Sequence, residues 1–363
     1  MHVIVVGAGV VGCAIAYELA ARGANVHVLD MRGTGQGATR ASAGILAPYI
    51  EGHSAALLQL GMCSLDQYDT FVRRVAADAR RPIEYRRTGT LQVVRTDEEA
   101  KQFPRQQHTL AGLGTRADVL DGSEARRLEP ALGADVRAAL LVSAQGYVRA
   151  AAFTDALAAA AAARGARVSV ARVARIGGAG GALTVETTEA RLAADVVVLA
   201  AGSWSGGIPM DAPAPPVRPV RGQLVELRLP QPALSHVVWG SECYLVPWQD
   251  GRVLVGATME EVGFDERVTA DGVRQLIGSA VQLVPALGAA TFEEARAGLR
   301  PATTDELPII GASTTMRGVF YATGHHRNGV LLAPLTASLV ADLVLAGRER
   351  PELALVRPDR FGL

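Results

Sequence analysis

The chain has 363 residues, enough for about two domains of ordinary size. Hydrophobic residues make up 49% of it and charged residues 20%, a composition that excludes a mainly disordered protein. Its 36 basic and 36 acidic residues balance, so neither nucleic acid nor an anionic membrane is expected as the main partner.

The cysteines and the N-terminus argue against a secreted or metal-binding protein. Cys13, Cys63 and Cys243 are odd in number and far apart, which indicates neither a disulfide framework nor a paired zinc site. We therefore expect a reducing compartment and no metal. Residues 1–17 are apolar, but no basic residue precedes the run and glycines interrupt it, unlike a secretory signal. The sequence predicts a soluble, cytoplasmic protein with no membrane partner.

The first thirty residues carry a glycine-rich turn between predicted elements. Residues 2–6 predict a strand, Gly-Ala-Gly-Val-Val-Gly follows, residues 13–22 predict a helix, and residues 25–30 predict a second strand ending in an acid. In this G-x-G-x-x-G pattern the glycines permit a tight turn, the approach of a pyrophosphate to the helix N-terminus, and close packing of helix against strand. The acid at the end of the second strand accepts hydrogen bonds from ribose hydroxyls. The pattern predicts a site for FAD or NAD, and the acid disfavours NADP. The residues assigned to this site are Gly7, Gly9, Val10, Val11, Gly12, Asp30 and Met31.

The rest of the chain mixes predicted helices and strands. A small-residue loop at 32–47 is followed by a helix at 54–77, strands in 82–96, a helix entry and turn at 118–132, a helix at 150–164, a strand at 166–176, a turn at 177–181 and a strand at 183–189. Further on come a buried strand at 195–200, a proline-rich domain boundary at 213–219, an antiparallel sheet in 221–258, a helix at 270–283, a strand at 319–322, a polar turn at 324–328 and a final helix at 331–345. This order predicts a nucleotide-binding α/β domain into which a β-rich domain is inserted.

Several short segments, spread in order over nearly the whole chain, carry a family resemblance. Besides the N-terminal turn they are TRASAGIL at 39–46, AGSWS at 201–205, PVRGQ at 219–223, GLRP at 298–301 and GHHRNGVLLAP at 324–334. Together they resemble the D-amino-acid oxidase superfamily of flavoproteins, and most closely the glycine oxidases of thiamine biosynthesis. The last segment is the most specific of them.

The resemblance implies the fold and selects the cofactor. The expected fold is α/β, with a Rossmann-type FAD-binding domain and an inserted, mainly antiparallel β substrate domain, as in D-amino-acid oxidase and glutathione reductase. The implied FAD-binding domain comprises residues 1–84, 146–215 and 300–363, and the substrate-binding domain comprises residues 85–145 and 216–299. The glycine-rich turn alone leaves FAD and NAD open as cofactors, and the resemblance implies FAD. Some relatives attach flavin to a cysteine near the C-terminal end, where this chain has none, so non-covalent FAD is expected.

The resemblance also implies which residues contact FAD. The turn at 325–331 leads into a helix whose positive N-terminal end faces the flavin pyrimidine ring and stabilises its reduced anion. Trp204 is expected to pack near the flavin without taking part in the chemistry. The residues implied are Ala38, Thr39, Ala43, Gly44, Ile45, Val173, Ala201, Gly202, Trp204, His325, His326, Asn328, Gly329, Val330 and Leu331.

Three residues match the family's substrate-binding positions. Arg300 and Arg327 match its two arginines, whose planar guanidinium groups suit a carboxylate, and Tyr244 matches its carboxylate-binding tyrosine. Glu242 stands where glycine oxidases often carry histidine. It either lines the pocket, shifting preference toward sarcosine, small D-amino acids or a cyclic imino acid, or points to solvent.

The implied activity is oxidation of glycine and other small amines. A hydride passes from Cα to flavin N5, the imine hydrolyses to a 2-oxo acid and ammonia, and dioxygen reoxidises the flavin to give hydrogen peroxide. The alternatives left open are a dehydrogenase of the same fold with another electron acceptor, a flavin-binding tRNA or scaffold protein, and an NAD-linked reductase. Relatives are often tetramers, so a homo-oligomer is expected.

Overall fold

The computed structural model describes residues 1–51, 54–179, 182–231 and 234–363. Its strands, in chain order, are β1 His2–Val6, β2 Asn25–Asp30, β3 Ile45–Leu46, β4 Tyr85–Arg86, β5 Thr90–Val94, β6 Ala117–Asp121, β7 Ala138–Val142, β8 Gly146–Val148, β9 Arg167–Val170, β10 Val173–Ala179, β11 Ala182–Thr187, β12 Arg191–Ala194, β13 Val196–Leu199, β14 Arg218–Arg228, β15 Val237–Trp239, β16 Tyr244–Pro247, β17 Arg252–Gly256, β18 Thr291–Ala302, β19 Ile309–Ala312 and β20 Val319–Thr323. Its α-helices are α1 Val10–Ala21, α2 Pro48–Glu51, α3 Ala55–Ala79, α4 Asp97–Ala100, α5 Phe103–Gly112, α6 Gly122–Leu128, α7 Ala150–Ala163, α8 Ala270–Leu283 and α9 Gly329–Ala346.

A six-stranded sheet in the order β19-β20-β13-β1-β2-β9 forms the nucleotide-binding half. Its strands are parallel except where β19 pairs antiparallel with β20. Side chains alternate along β1, so Val3 and Val5 pack into the core shared with helices α1, α3, α7 and α9. Ile4 and Val6 pack on the other face, against the small sheet β10-β11-β12. Burial on both faces explains the continuous apolar runs of β1 and β13.

An eight-stranded sheet in the order β18-β14-β17-β16-β15-β5-β7-β6 forms the second half. Its pairings are antiparallel, apart from the parallel contact of β15 with β5. Helix α8 covers one face through Leu276 and Ala280. The arrangement confirms the expected fold of a Rossmann-type sheet combined with a mainly antiparallel one. The exact domain limits stay a prediction, because β18 runs across the expected boundary at 299–300.

Several local predictions were wrong. Residues 117–121 form strand β6, not part of a helix, because they pair with β7 along their whole length. Residues 166–176 supply two strands, β9 and β10, in different sheets. The turn expected at 177–181 is in part strand, since β10 runs to Ala179, and residues 180–181 lie outside the described residues.

Helix α9 is the central helix of the first core. By length and composition alone, the helical run His326–Ala346 is the candidate in the described chain for crossing a membrane. In this structure 72% of the apolar window is buried inside the protein. Its apolar side chains pack against α1 and α3, which is the environment of a core helix.

Candidate active site

A cavity of about 550 Å³ lies where the C-terminal ends of β1, β2, β13 and β20 face the eight-stranded sheet. Ligands of open α/β sheets bind at this edge. Every predicted cofactor or substrate residue lines the cavity, apart from Gly12, Asn328 and Leu331. Because these residues come from distant parts of the sequence, the fold brings the predicted site together in one place.

The nucleotide end of the cavity is shaped by backbone contacts of the glycine-rich turn. A Cβ on Gly7 would lie 2.3 Å from the Ala200 carbonyl oxygen, and a Cβ on Gly12 would lie 1.9 Å from the Gly7 oxygen. Gly12 therefore packs α1 against β1 and does not line the cavity. Gly9 lines it, and the nearest atom to a Cβ there would be Thr39 Oγ1 at 3.4 Å. Gly9 thus leaves room where a pyrophosphate would approach.

Two polar side chains hold this turn. Asp30 Oδ2 accepts a hydrogen bond from the Ala8 N–H at 2.8 Å. Its Oδ1 accepts hydrogen bonds from the N–H groups of Arg32 at 2.7 Å and Gly33 at 3.0 Å. Thr39 Oγ1 accepts from the Val10 N–H at 3.0 Å, in the first turn of α1. Both residues line the cavity as predicted, and both also fix the shape of the turn.

The small-residue loop after β2 forms one wall of the cavity. The Val148 N–H donates to the Gly44 oxygen at 2.8 Å, which joins the loop to β8. A Cβ on Gly298 of β18 would lie 2.7 Å from the Ala41 Cβ, so loop and strand are in close contact. Trp204 packs between the Arg32 guanidinium, 4.4 Å from its ring centre, and the Phe264 ring at 5.9 Å. The expected packing of Trp204 near the flavin stays a prediction.

The N-terminus of α9 reaches the cavity through Gly329 and Val330. Pro334 lacks an N–H, so it cannot donate to the Val330 oxygen as a helical residue would. The buried Tyr68 hydroxyl of α3 donates to that oxygen at 2.5 Å, which replaces the missing donor. The neighbouring Ser64 hydroxyl donates to the Leu331 oxygen at 2.6 Å. Neither Leu331 nor Asn328 lines the cavity.

His325 is a neutral, buried member of the same segment. Burial lowers its pKa to about 3, and its Nε2 lies 3.0 Å from Thr336 Oγ1. A ring held in this way at neutral pH is a hydrogen-bonding group and not a strong base.

Arg300, Arg327 and Tyr244 meet at the opposite end from the glycine-rich turn. Arg300 donates from Nη1 to the Thr258 oxygen at 3.0 Å and to the Arg221 oxygen at 3.3 Å. Burial lowers the pKa of Arg300, while Tyr244 acts to raise it and Arg327 to lower it. Burial also raises the pKa of Tyr244 to about 12, so its hydroxyl stays protonated. Arg327 also lines the cavity, and its Nε is buried without a hydrogen-bond partner among the described residues.

Sequence analysis missed other residues that line the cavity. Trp239 packs on Tyr244 with ring centres 5.2 Å apart, and Met259 and Phe264 come from the segment after β17. Glu51, the last residue of α2, also lines it. Glu51 follows the TRASAGIL segment closely, but a single acid there carries no pattern of its own. Glu242 lines the cavity and is exposed, which combines the two positions considered for it.

The sequence profile of the FAD dependent oxidoreductase family matches residues 2–343. The chain belongs to this family. It is 36% identical to a glycine oxidase from Geobacillus kaustophilus, over 97% of this chain and 94% of that protein. It is 34% identical to the bifunctional protein ThiO/ThiG from Synechocystis, of which it spans 54%. The crystal structure of the Geobacillus kaustophilus glycine oxidase superposes with a TM-score of 0.93, covering 98% of this chain and 97% of that one at 35% identity.

Membership in the family confirms the predicted resemblance and the FAD cofactor. The cavity fits this cofactor on its own features: Gly9 and the first turn of α1 leave space for phosphates, and the residues of 38–44 that line the wall are all small. Gly329 and Val330 bring the positive end of the α9 dipole to the other side. The assignment of individual residues to FAD atoms stays a prediction.

Proposed function

We propose that the protein is an FAD-dependent amino acid oxidase that acts on glycine and other small amino acids, including sarcosine and small D-amino acids. The observation that carries this proposal is the arginine pair, Arg300 and Arg327, beside the Tyr244 hydroxyl at one end of a cofactor-sized cavity. Two guanidinium groups and a phenol suit a carboxylate. The similarity to glycine oxidases supports an amino acid as the substrate that carries this carboxylate.

The protein's part in the reaction is to bind and orient. Bonds from Arg300 to two backbone oxygens fix its guanidinium, and Arg327, which also lines the cavity, offers a second guanidinium. A carboxylate held by both groups turns the substrate Cα toward the cofactor. FAD, when bound, would supply the redox chemistry as the acceptor of a hydride from the substrate Cα. No side chain is assigned as a strong base, since His325 is neutral and engaged with Thr336.

The proposed overall reaction converts glycine, water and dioxygen to glyoxylate, ammonia and hydrogen peroxide. The imine formed by oxidation takes up water to release ammonia, and dioxygen is reduced to peroxide. We also propose non-covalent FAD, a cytoplasmic location and a homo-oligomer, on the basis of the family resemblance. Acid precipitation that leaves the yellow colour in the supernatant supports non-covalent FAD, and colour in the pellet contradicts it.

The test is an anaerobic spectral titration of the FAD-loaded protein with glycine, sarcosine, D-alanine, D-proline and L-alanine in turn. The proposal predicts that glycine or another small amino acid bleaches the visible flavin band, and that air restores the band with formation of peroxide. Bleaching that dioxygen does not reverse would instead favour a dehydrogenase with another electron acceptor. A band that none of the amino acids changes would contradict the proposal.

A further inference from the structure

Two carboxylates among the described residues line the cavity near the arginine pair, and they differ in environment. Glu242 is exposed, in the turn that precedes Tyr244. Glu51 is partly buried, at the end of α2. Asp30 also lines the cavity, but it lies at the nucleotide end and accepts backbone N–H groups there. Of the two carboxylates near the substrate-binding residues, Glu51 is therefore the less exposed one.

The backbone that carries Glu51 is held in place on several sides. Its N–H donates to the Ala47 oxygen at 3.0 Å. The Tyr49 N–H donates to Gln145 Oε1 at 3.2 Å, which ties α2 to the turn before β8. A Cβ on Gly61 of α3 would lie 2.7 Å from the Pro48 Cβ, so α2 and α3 pack closely. These contacts hold the backbone of α2, including that of Glu51, against its neighbours.

The charge of Glu51 acts on the substrate-binding residues. Burial raises the pKa of Glu51, and the positive charges of Arg327 and Arg300 oppose that rise. The Glu51 charge in turn acts to raise the pKa values of Arg300 and Tyr244. The packing of α3 agrees with these effects, because a Cβ on Gly61 would lie 2.7 Å from the Pro48 Cβ of α2 and 3.3 Å from Leu331 Cδ2 at the start of α9. The segments that carry Glu51 and Arg327 are therefore neighbours in the cavity wall.

The Glu51 carboxylate also lacks a donor of its own. Among the described residues, no hydrogen bond reaches its oxygens, and no ion pair joins it directly to an arginine. A partly buried carboxylate without a donor is open to a ligand that brings N–H groups, which would improve its hydrogen bonding. The cavity therefore presents an anionic acceptor next to two cationic donors.

We propose that the Glu51 carboxylate binds the substrate amine, and that it thereby selects α-amino acids over carboxylates that lack an amine. This inference rests on the proposed function. In an α-amino acid the carboxylate and the amine are bonded to the same carbon, so their protein partners must line the same part of a site, and Glu51 and Arg327 come from neighbouring segments of the cavity wall. Fixing both groups also leaves Cα with one orientation toward the cofactor.

The experiment compares two ligands that differ by the amine alone. Acetate is glycine without its amine, and its dissociation constant is measured from the change it causes in the flavin absorbance of the holoenzyme. The apparent dissociation constant of glycine is taken from the concentration dependence of anaerobic flavin reduction in rapid mixing. The variants are Glu51→Gln, Glu51→Asp as the conservative change, Glu242→Gln as the competing carboxylate, and Glu261→Gln as a matched control. Glu261 is an exposed residue outside the cavity that pairs with Arg218.

The expected result is that Glu51→Gln weakens glycine binding about tenfold or more, while acetate binds as in the wild type or more tightly. Glu51→Asp retains part of the glycine affinity, and Glu261→Gln changes neither ligand. If Glu51→Gln weakens acetate and glycine equally, Glu51 only orients the arginines and the proposal is overturned. It is also overturned if neither affinity changes, or if the amine-selective loss appears in Glu242→Gln. A wild-type protein that binds acetate but is reduced by no amino acid overturns the proposed function itself, and this inference with it.

Discussion

The two ends of the cavity differ in the chemical groups that line them. At the nucleotide end, one stretch of about thirty residues supplies backbone N–H groups and glycines whose missing side chains allow close contacts. At the substrate end, Glu51, Tyr244, Arg300 and Arg327 come from four separate segments, and their charged or polar side chains are sheltered from water. The first end should therefore be sensitive to any added Cβ and the second to any lost charge.

The largest effect is expected at the nucleotide end, from Gly12→Ala. The new methyl would lie 1.9 Å from the Gly7 oxygen, and neither backbone can yield without separating α1 from β1. We expect a protein that does not retain FAD and unfolds at lower urea concentration, measured by flavin content after desalting and by denaturant titration.

Gly9→Ala is the matched control for that change. Its methyl would meet Thr39 Oγ1 at 3.4 Å, an ordinary contact, and would project into the cavity. The protein should fold with near-normal stability but bind FAD more weakly. Unchanged FAD affinity in Gly9→Ala would show that the pyrophosphate does not approach this glycine.

The substrate end is tested by Arg300→Ala. Removing one charged partner of a bound carboxylate should cost about 2–5 kcal/mol of transition-state binding, seen as a fall in kcat/KM for glycine. FAD content should stay close to that of the wild type, because Arg300 lies away from the glycine-rich turn. Arg274→Ala removes an exposed arginine that pairs with Asp271 and should leave kcat/KM unchanged. Equal kcat/KM in Arg300→Ala and wild type would end the assignment.

A smaller effect should follow at the segment that joins the two ends. Tyr68→Phe leaves the Val330 oxygen without a donor, at a cost of about 1–3 kcal/mol in the free energy of unfolding. Pro334→Ala restores a helical N–H to the same oxygen, so the cost of Tyr68→Phe should shrink in that background. Urea unfolding of the four proteins of this cycle measures the difference. If Tyr68→Phe lowered the free energy of unfolding equally in the wild type and in Pro334→Ala, the Tyr68 hydroxyl would not be replacing the missing N–H of Pro334.

The most gradual effect, spread over several pH units, is a pH dependence at His325. Its folded pKa of about 3 lies below the ordinary value of 6.5, so between these values the unfolded chain binds more protons than the folded one. Stability therefore rises with pH across this window and is lost as pH falls, by at most about 1.4 kcal/mol per pH unit. His325→Gln should reduce that slope in unfolding curves recorded from pH 6.5 to 4.5. An unchanged slope would mean that His325 does not titrate as stated.

The same contrast explains what the sequence could predict. The nucleotide end is local, so the spacing of Gly7, Gly9, Gly12 and Asp30 predicts it directly. The substrate end required a family resemblance to find its arginines and tyrosine. Glu51 was missed because its role depends on Arg300 and Arg327, which lie about 250 and more residues further along the chain.

Tertiary pairing likewise overrides local propensity in the sheets. Strand β18 contains alanine, glycine, arginine and proline, none of which favours a strand, and sequence analysis did not predict it. Its pairing with β14 extends from Thr291 to Ala302 and holds it extended. The final helix, by contrast, was predicted because its apolar run is long and continuous.

The most direct test of the central claim is a crystal structure of the FAD-loaded protein with acetate bound. The account predicts the FAD pyrophosphate against the first turn of α1 beside Gly9, and the acetate carboxylate between Arg300 and Arg327 with its methyl group toward the flavin. Acetate bound elsewhere, with neither arginine in contact, would contradict the division of the cavity into a nucleotide end and a substrate end.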